Sequence, residues 1–117
     1  MTLRLLDAIS ESLGLEPDFL NKALGKHGQH MAINYYPRCP NPELTYGLPS
    51  HTDPSALTVL LQDQVSGLHV LNNGNWIAVQ PIANSFVINI GDQLQVKPSM
   101  KSMMSVAPKE QSQYILI

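Results

Sequence analysis

Thiol chemistry is nearly absent, for a single cysteine, Cys39, stands in 117 residues. A lone cysteine excludes an internal disulfide framework and fits a reducing compartment, so the expected location is cytoplasmic. Charge is scarce too. Charged residues make up 14% of the chain, where an average domain carries about 25%. Seven basic against nine acidic residues leave a net charge of −2 and no basic footprint, which argues against nucleic acid as a partner. No apolar run nears the ~18–20 residues of a membrane span. The opening MTLRLLDAISESLGLE is broken by Asp7 and Glu11 and has no signal-peptide core. What is present is an ordinary 44% apolar content, enough for one small globular domain and too much for a wholly disordered chain.

Hydrophobic period divides the chain in three. In residues 1–28, Leu3, Leu6, Ile9 and Leu13 recur at steps of three and four, one face of a helix. Gly14 stops that helix, and Pro17 opens a second that runs to Leu24. From residue 29 to 96 the grammar changes to short β-branched or apolar runs between turn residues: 30–36, 56–62, 67–71, 75–79, 85–90 and 92–96. Asn72-Asn73-Gly74 is a hairpin signal. Five or six such strands suggest an antiparallel sandwich or barrel with helices leading in, a mainly β fold. The last segment, 97–117, has no clear period before its apolar YILI end and is expected to be disordered.

His51-Thr52-Asp53 is the first candidate for chemistry. Two residues apart in an extended segment, His51 and Asp53 leave the same side of the backbone. An imidazole nitrogen and a carboxylate oxygen can then converge on one cation, two-thirds of the 2-His-1-carboxylate arrangement that holds Fe(II). Read alone, a surface-loop histidine beside a turn-forming Asp-Pro is the simpler explanation. His27, His30 and His69 are each read as solvent-facing or satisfied rather than as a second ligand. Cys39 reads as a small apolar filler, Trp76 as a core or hairpin anchor, and Asp92 as a turn cap.

The wider context changes the weight of that pair. Asn34-Tyr35-Tyr36-Pro37, Cys39-Pro40, Gly47-Leu48, His51-Thr52-Asp53, VLLQDQVSGL (59–68), Trp76, Pro81 and Ile90-Gly91-Asp92 follow one another in a fixed order. In that order they resemble the plant 2-oxoglutarate and Fe(II)-dependent dioxygenases, in the branch of the flavanone 3-dioxygenases and the salicylate hydroxylases of downy-mildew-resistance type. The resemblance implies a partial, incomplete double-stranded β-helix (jelly roll) over 29–96. It implies His51 and Asp53 as metal ligands, and Asn34 and Tyr36 as residues that help hold 2-oxoglutarate. The cofactor set it implies is Fe(II), with 2-oxoglutarate and O2 as co-substrates, and the implied substrate is a plant phenolic of flavonoid or salicylate type.

The resemblance also implies a distal histidine and an arginine that grips the far carboxylate of 2-oxoglutarate. No histidine follows His69 and no arginine follows Arg38, and Ala107 falls where the histidine is due. The expectation is therefore of a chain truncated at both ends. It is either an impaired oxidoreductase or, alternatively, a catalytically inactive fragment with at most weak metal binding, prone to self-association through exposed strand edges. A zinc hydrolase built on His51 and Asp53 would lack further ligands and an activating base.

Overall fold

The computed structural model describes residues 1–26, 28–45, 47–95, 103–106 and 111–116, and of the last two segments only the backbone. The chain opens with helix α1 (Thr2–Ser12) and a short α2 (Phe19–Leu24). Of the expected apolar stripe on α1, only Leu6 is buried, while Leu3 and Leu13 are exposed. The buried line runs instead along Leu6 and Ser10, one turn apart. The Ser10 hydroxyl donates to the Leu6 carbonyl at 2.9 Å and accepts from the Leu20 N–H at 3.2 Å, which joins the two helices. Asn21 Nδ2 donates to the Asp7 carboxylate at 2.6 Å and closes the same seam.

Eight strands follow: β1 (Met31–Tyr36), β2 (Leu48–His51), β3 (Leu57–Gln62), β4 (Leu68–Asn72), β5 (Asn75–Ala78), β6 (Val87–Ile90), β7 (Met103–Val106) and β8 (Gln111–Leu116). They form two four-stranded antiparallel sheets, ordered β1-β8-β3-β6 and β2-β7-β4-β5. The sheets pack through Leu60 of β3 and Leu68 of β4, 3% and 2% exposed, with Val70, Val79 and Val87 around them. This is the jelly-roll arrangement, mainly β with helices ahead of it. β3 is its spine. Leu57, Thr58, Val59 and Leu60 are all buried, as a central strand with both faces covered requires.

Two expectations are corrected here. The segment 97–117, expected to be disordered, carries β7 and β8, so the strands number eight rather than five or six. The reason is non-local. β8 lies between β1 and β3, and β7 between β2 and β4, so each satisfies two rows of backbone donors and acceptors at once. Residues 92–96, expected to be a strand, begin instead as a turn, in which the Leu94 N–H donates to the Gly91 carbonyl at 3.1 Å. Val96 lies outside the described residues.

The β4–β5 hairpin forms where the sequence signals it, with Asn72 opposite Asn75. Asn73 and Gly74 both take positive φ, 49° and 80°, as a type I′ turn requires. A Cβ on Gly74 would meet nothing within 4 Å. The Gly74→Ala variant should therefore lose only about 1 kcal/mol, from backbone strain alone. Urea unfolding would show this as a small fall in midpoint at an unchanged slope.

Candidate functional site

At the C-terminal end of β2 the chain leaves the sheet through His51-Thr52-Asp53 and turns over residues 54–56 into β3. His51 is still paired in the sheet, opposite Met104 of β7. Its ring Nδ1 lies 2.9 Å from the Pro49 carbonyl. A carbonyl can only accept, so Nδ1 is the donor, which leaves Nε2 as the ring nitrogen that can meet a cation in the neutral form. Nε2 faces the Asp53 carboxylate, 3.6 Å from Oδ1. The His51 side chain is 39% exposed and that of Asp53 only 11%.

The second Asp53 oxygen, Oδ2, is buried and has no hydrogen-bond partner among the described residues. A buried carboxylate oxygen left without a donor is costly. Together with the neighbouring Nε2 of His51, it makes a pair of donors whose chemistry suits a cation. The residues present fit a metal. His51 and Asp53 are two candidate ligands, and no group of three or more His, Cys, Asp or Glu converges among the described residues.

A second chain segment holds this turn from behind. The Asp92 N–H donates to the Asp53 carbonyl at 2.8 Å, and the Gly91 N–H to the Ala56 carbonyl at 2.9 Å. The Gln93 N–H reaches the Ser55 carbonyl at 3.3 Å, and its side-chain Nε2 the Pro54 carbonyl at 3.1 Å. The Thr52 hydroxyl donates to the Asp92 carboxylate at 2.9 Å. Every residue from 52 to 56 is thus tied to the Gly91–Gln93 turn. Gly91 is buried so tightly there that a Cβ would lie 1.9 Å from the Ser55 carbonyl oxygen. Sequence reading assigned Asp92 only the role of a turn cap and passed over Thr52 and Gln93. The available signal was a Gly-Asp pair directly after an apolar strand, but its partners lie some forty residues away.

Asn34 and Tyr36 lie on β1, half-buried in an alternating strand. Register fixes their direction. Ala32 is paired through Ile115 with Leu60, and Asn34 through Gln113 with Gln62. Ala32, Asn34 and Tyr36 therefore share the face of Leu60, the one turned toward the second sheet. Burial raises the Tyr36 phenol above its ordinary pKa of 10, so at neutral pH it is a protonated donor. Asn34 is level with Gln62, at the end of β3 remote from the 52–56 turn. The structure thus places these two residues on the inner face without bringing them against His51 and Asp53. Both amide atoms of Gln62 are buried there without partners among the described residues.

The remaining histidines stay apart from the pair. His69 Nδ1 lies 3.0 Å from the Gly67 carbonyl, on the face of β4 opposite Leu68. His30 lines a cavity of about 250 Å³ between α1 and the 52–56 turn, beside Leu6, Leu24, Ser55, Leu57 and Gln93. His27 lies outside the described residues. Trp76 sits on the hairpin strand β5, 46% exposed, and is not a core residue. Among the described residues no helix is long and apolar enough to cross a membrane.

Known proteins bear on this geometry. A family model described as the 2OG-Fe(II) oxygenase superfamily matches residues 27–107, past Val96 where the motif resemblance ends. Protein DMR6-LIKE OXYGENASE 1 of Arabidopsis thaliana is 68% identical over 96 residues, which cover 82% of this chain and 28% of that protein. Flavanone 3-dioxygenase 2 of Oryza sativa subsp. japonica is 68% identical over 93 residues, covering 79% of this chain and 27% of that one. The crystal structure of JOX2 in complex with 2OG, Fe and JA superposes with a TM-score of 0.92 at 35% identity, over 99% of this chain and 37% of its own. The chain thus spans little more than a quarter of the length of the curated relatives it matches.

Proposed function

The chain belongs to the 2OG-Fe(II) oxygenase superfamily, and on that premise we propose that it carries the iron-facing half of a dioxygenase that hydroxylates a plant phenolic of flavonoid or salicylate type. One observation carries the reading: where the chain leaves β2, His51 Nε2 meets a carboxylate, that of Asp53, whose buried Oδ2 has no hydrogen-bond partner among the described residues. Identity of 68% to a flavanone 3-dioxygenase supports the substrate class.

In this reading His51 and Asp53 hold the metal. Bound Fe(II) supplies the O2 activation that couples decarboxylation of 2-oxoglutarate to succinate with hydroxylation of a C–H bond. Asn34 and Tyr36 donate hydrogen bonds between the sheets toward the co-substrate's acid oxygens, the amide and the neutral phenol being the right chemistry for that. A second reading, metal binding without turnover, is favoured by the absence of a third converging ligand among the described residues.

One experiment separates the two. Anaerobic addition of Fe(II) and 2-oxoglutarate should give the weak visible charge-transfer band of the chelate, and His51→Ala should abolish it. Admitting air with a flavanone or salicylate then tests turnover. Succinate release supports the first reading, a band without succinate supports the second, and no band rejects both.

A further inference from the structure

The turn that carries the two metal-facing residues has no regular structure to hold it. Between the end of β2 and the start of β3, residues 52–56 make no ladder hydrogen bonds of their own. Their carbonyls are taken up instead by the Gly91–Gln93 turn: Asp53 by the Asp92 N–H, Pro54 by the Gln93 side chain, Ser55 by the Gln93 N–H, and Ala56 by the Gly91 N–H. The one side-chain pair in the set is Thr52 Oγ1 to Asp92 Oδ2, at 2.9 Å. It is also the contact nearest the site, for Thr52 stands between the two metal-facing residues.

We propose that Thr52 and Asp92 form a latch that sets the angle between His51 and Asp53, so that both are positioning residues for the cation. The inference rests on the metal-binding reading above. Its basis is geometric. His51 is anchored by the β2–β7 pairing and by Pro49, whereas Asp53 has left the sheet and its side chain has no hydrogen-bond partner among the described residues. The direction of that carboxylate therefore depends on the backbone of residues 52 and 53. Asp92 holds both, residue 53 by its N–H and residue 52 by its carboxylate. The Thr52 hydroxyl donates to the Asp92 carboxylate oxygen at full hydrogen-bond distance, 2.9 Å. With the latch open, residue 52 can rotate, and the ligands no longer converge without an added ordering cost.

Mn(II), a redox-inert probe, reads this directly through loss of the six-line resonance of the free ion. Thr52→Val removes the donor at equal size and should weaken Mn(II) binding about tenfold or more, the scale on which groups that orient ligands act. Thr52→Ser keeps the hydroxyl and should bind within about threefold of the unaltered chain. Asp92→Asn keeps an acceptor oxygen and should do the same, while Asp92→Ala should match Thr52→Val. The double variant Thr52→Val/Asp92→Ala should be no weaker than either single, because each opens the same latch. Should Thr52→Val fail to fold, the Asp92→Ala and Asp92→Asn pair decides alone.

Mn(II) binding that His51→Ala abolishes but Thr52→Val and Asp92→Ala leave within threefold would overturn the latch and spare the metal reading. A tenfold loss in Asp92→Asn, or additive losses in the double variant, would overturn it as well. No His51-dependent binding by the unaltered chain would overturn both.

Discussion

Gly91→Ala is expected to destabilise the chain by about 3 kcal/mol or more, at the upper end of overpacking costs. The added methyl would lie 1.9 Å from the Ser55 carbonyl oxygen, 2.7 Å from the Ser55 carbonyl carbon and 3.1 Å from the Asp53 carbonyl oxygen. All three are backbone atoms, so no flexible side chain can swing aside. Either the Ile90–Gly91 segment backs away from the metal turn or the turn moves, and in both cases hydrogen bonds to residues 53–56 break together. A melting curve should fall by roughly 10 °C, several times the effect of Gly74→Ala. Gly74 meets open space and Gly91 meets a neighbouring backbone, so the two glycines are required for opposite reasons. Equal melting points for the two variants would refute this account.

Asp53→Ala should raise the stability of the metal-free chain. Asp53 Oδ2 is buried without a hydrogen-bond partner among the described residues, and such a group costs about 1–3 kcal/mol. Removing it should return about 1 kcal/mol, or some 4 °C in the melting point. The same change removes the more buried of the two proposed metal ligands, so any rise in melting temperature that Mn(II) gives the unaltered chain should vanish. The two effects have opposite signs, which is the signature of a residue kept for binding at the expense of folding. A drop in the metal-free melting point would instead make the carboxylate a structural element. The comparison needs only thermal melts with and without Mn(II).

What the sequence disclosed and what it hid follow from range. The helices, the Asn73-Gly74 hairpin and strands β3 to β6 are encoded locally, in period and turn chemistry, and were readable to within a few residues. β2 was not foreseen because its four residues, LPSH, include a proline and sit in a proline-punctuated loop. Its strand character comes from β7, with a register shift between Leu48 and His51. β7 and β8 themselves lack a strong pattern. What makes them strands is the pair of neighbours waiting on each side, and no window of their own residues records that. The His51–Asp53 pair was legible because His-x-Asp is a local motif. The latch behind it was not, because Thr52 and Asp92 are forty residues apart and each alone looks like ordinary turn chemistry.

The place of β7 and β8 sets a timetable for synthesis. Each is an inner member of a sheet whose other strands are made earlier, so neither sheet can close until residues 103–116 have left the ribosome. β1 must wait for residue 111 before it gains its partner, a delay of some eighty residues. Contacts that distant slow folding and keep apolar strands exposed meanwhile. During that interval β1 and β3 present open edges on both sides of one gap, the period when another chain could take the place of β8. The interval before β7 and β8 arrive is therefore one in which misassembly competes with folding.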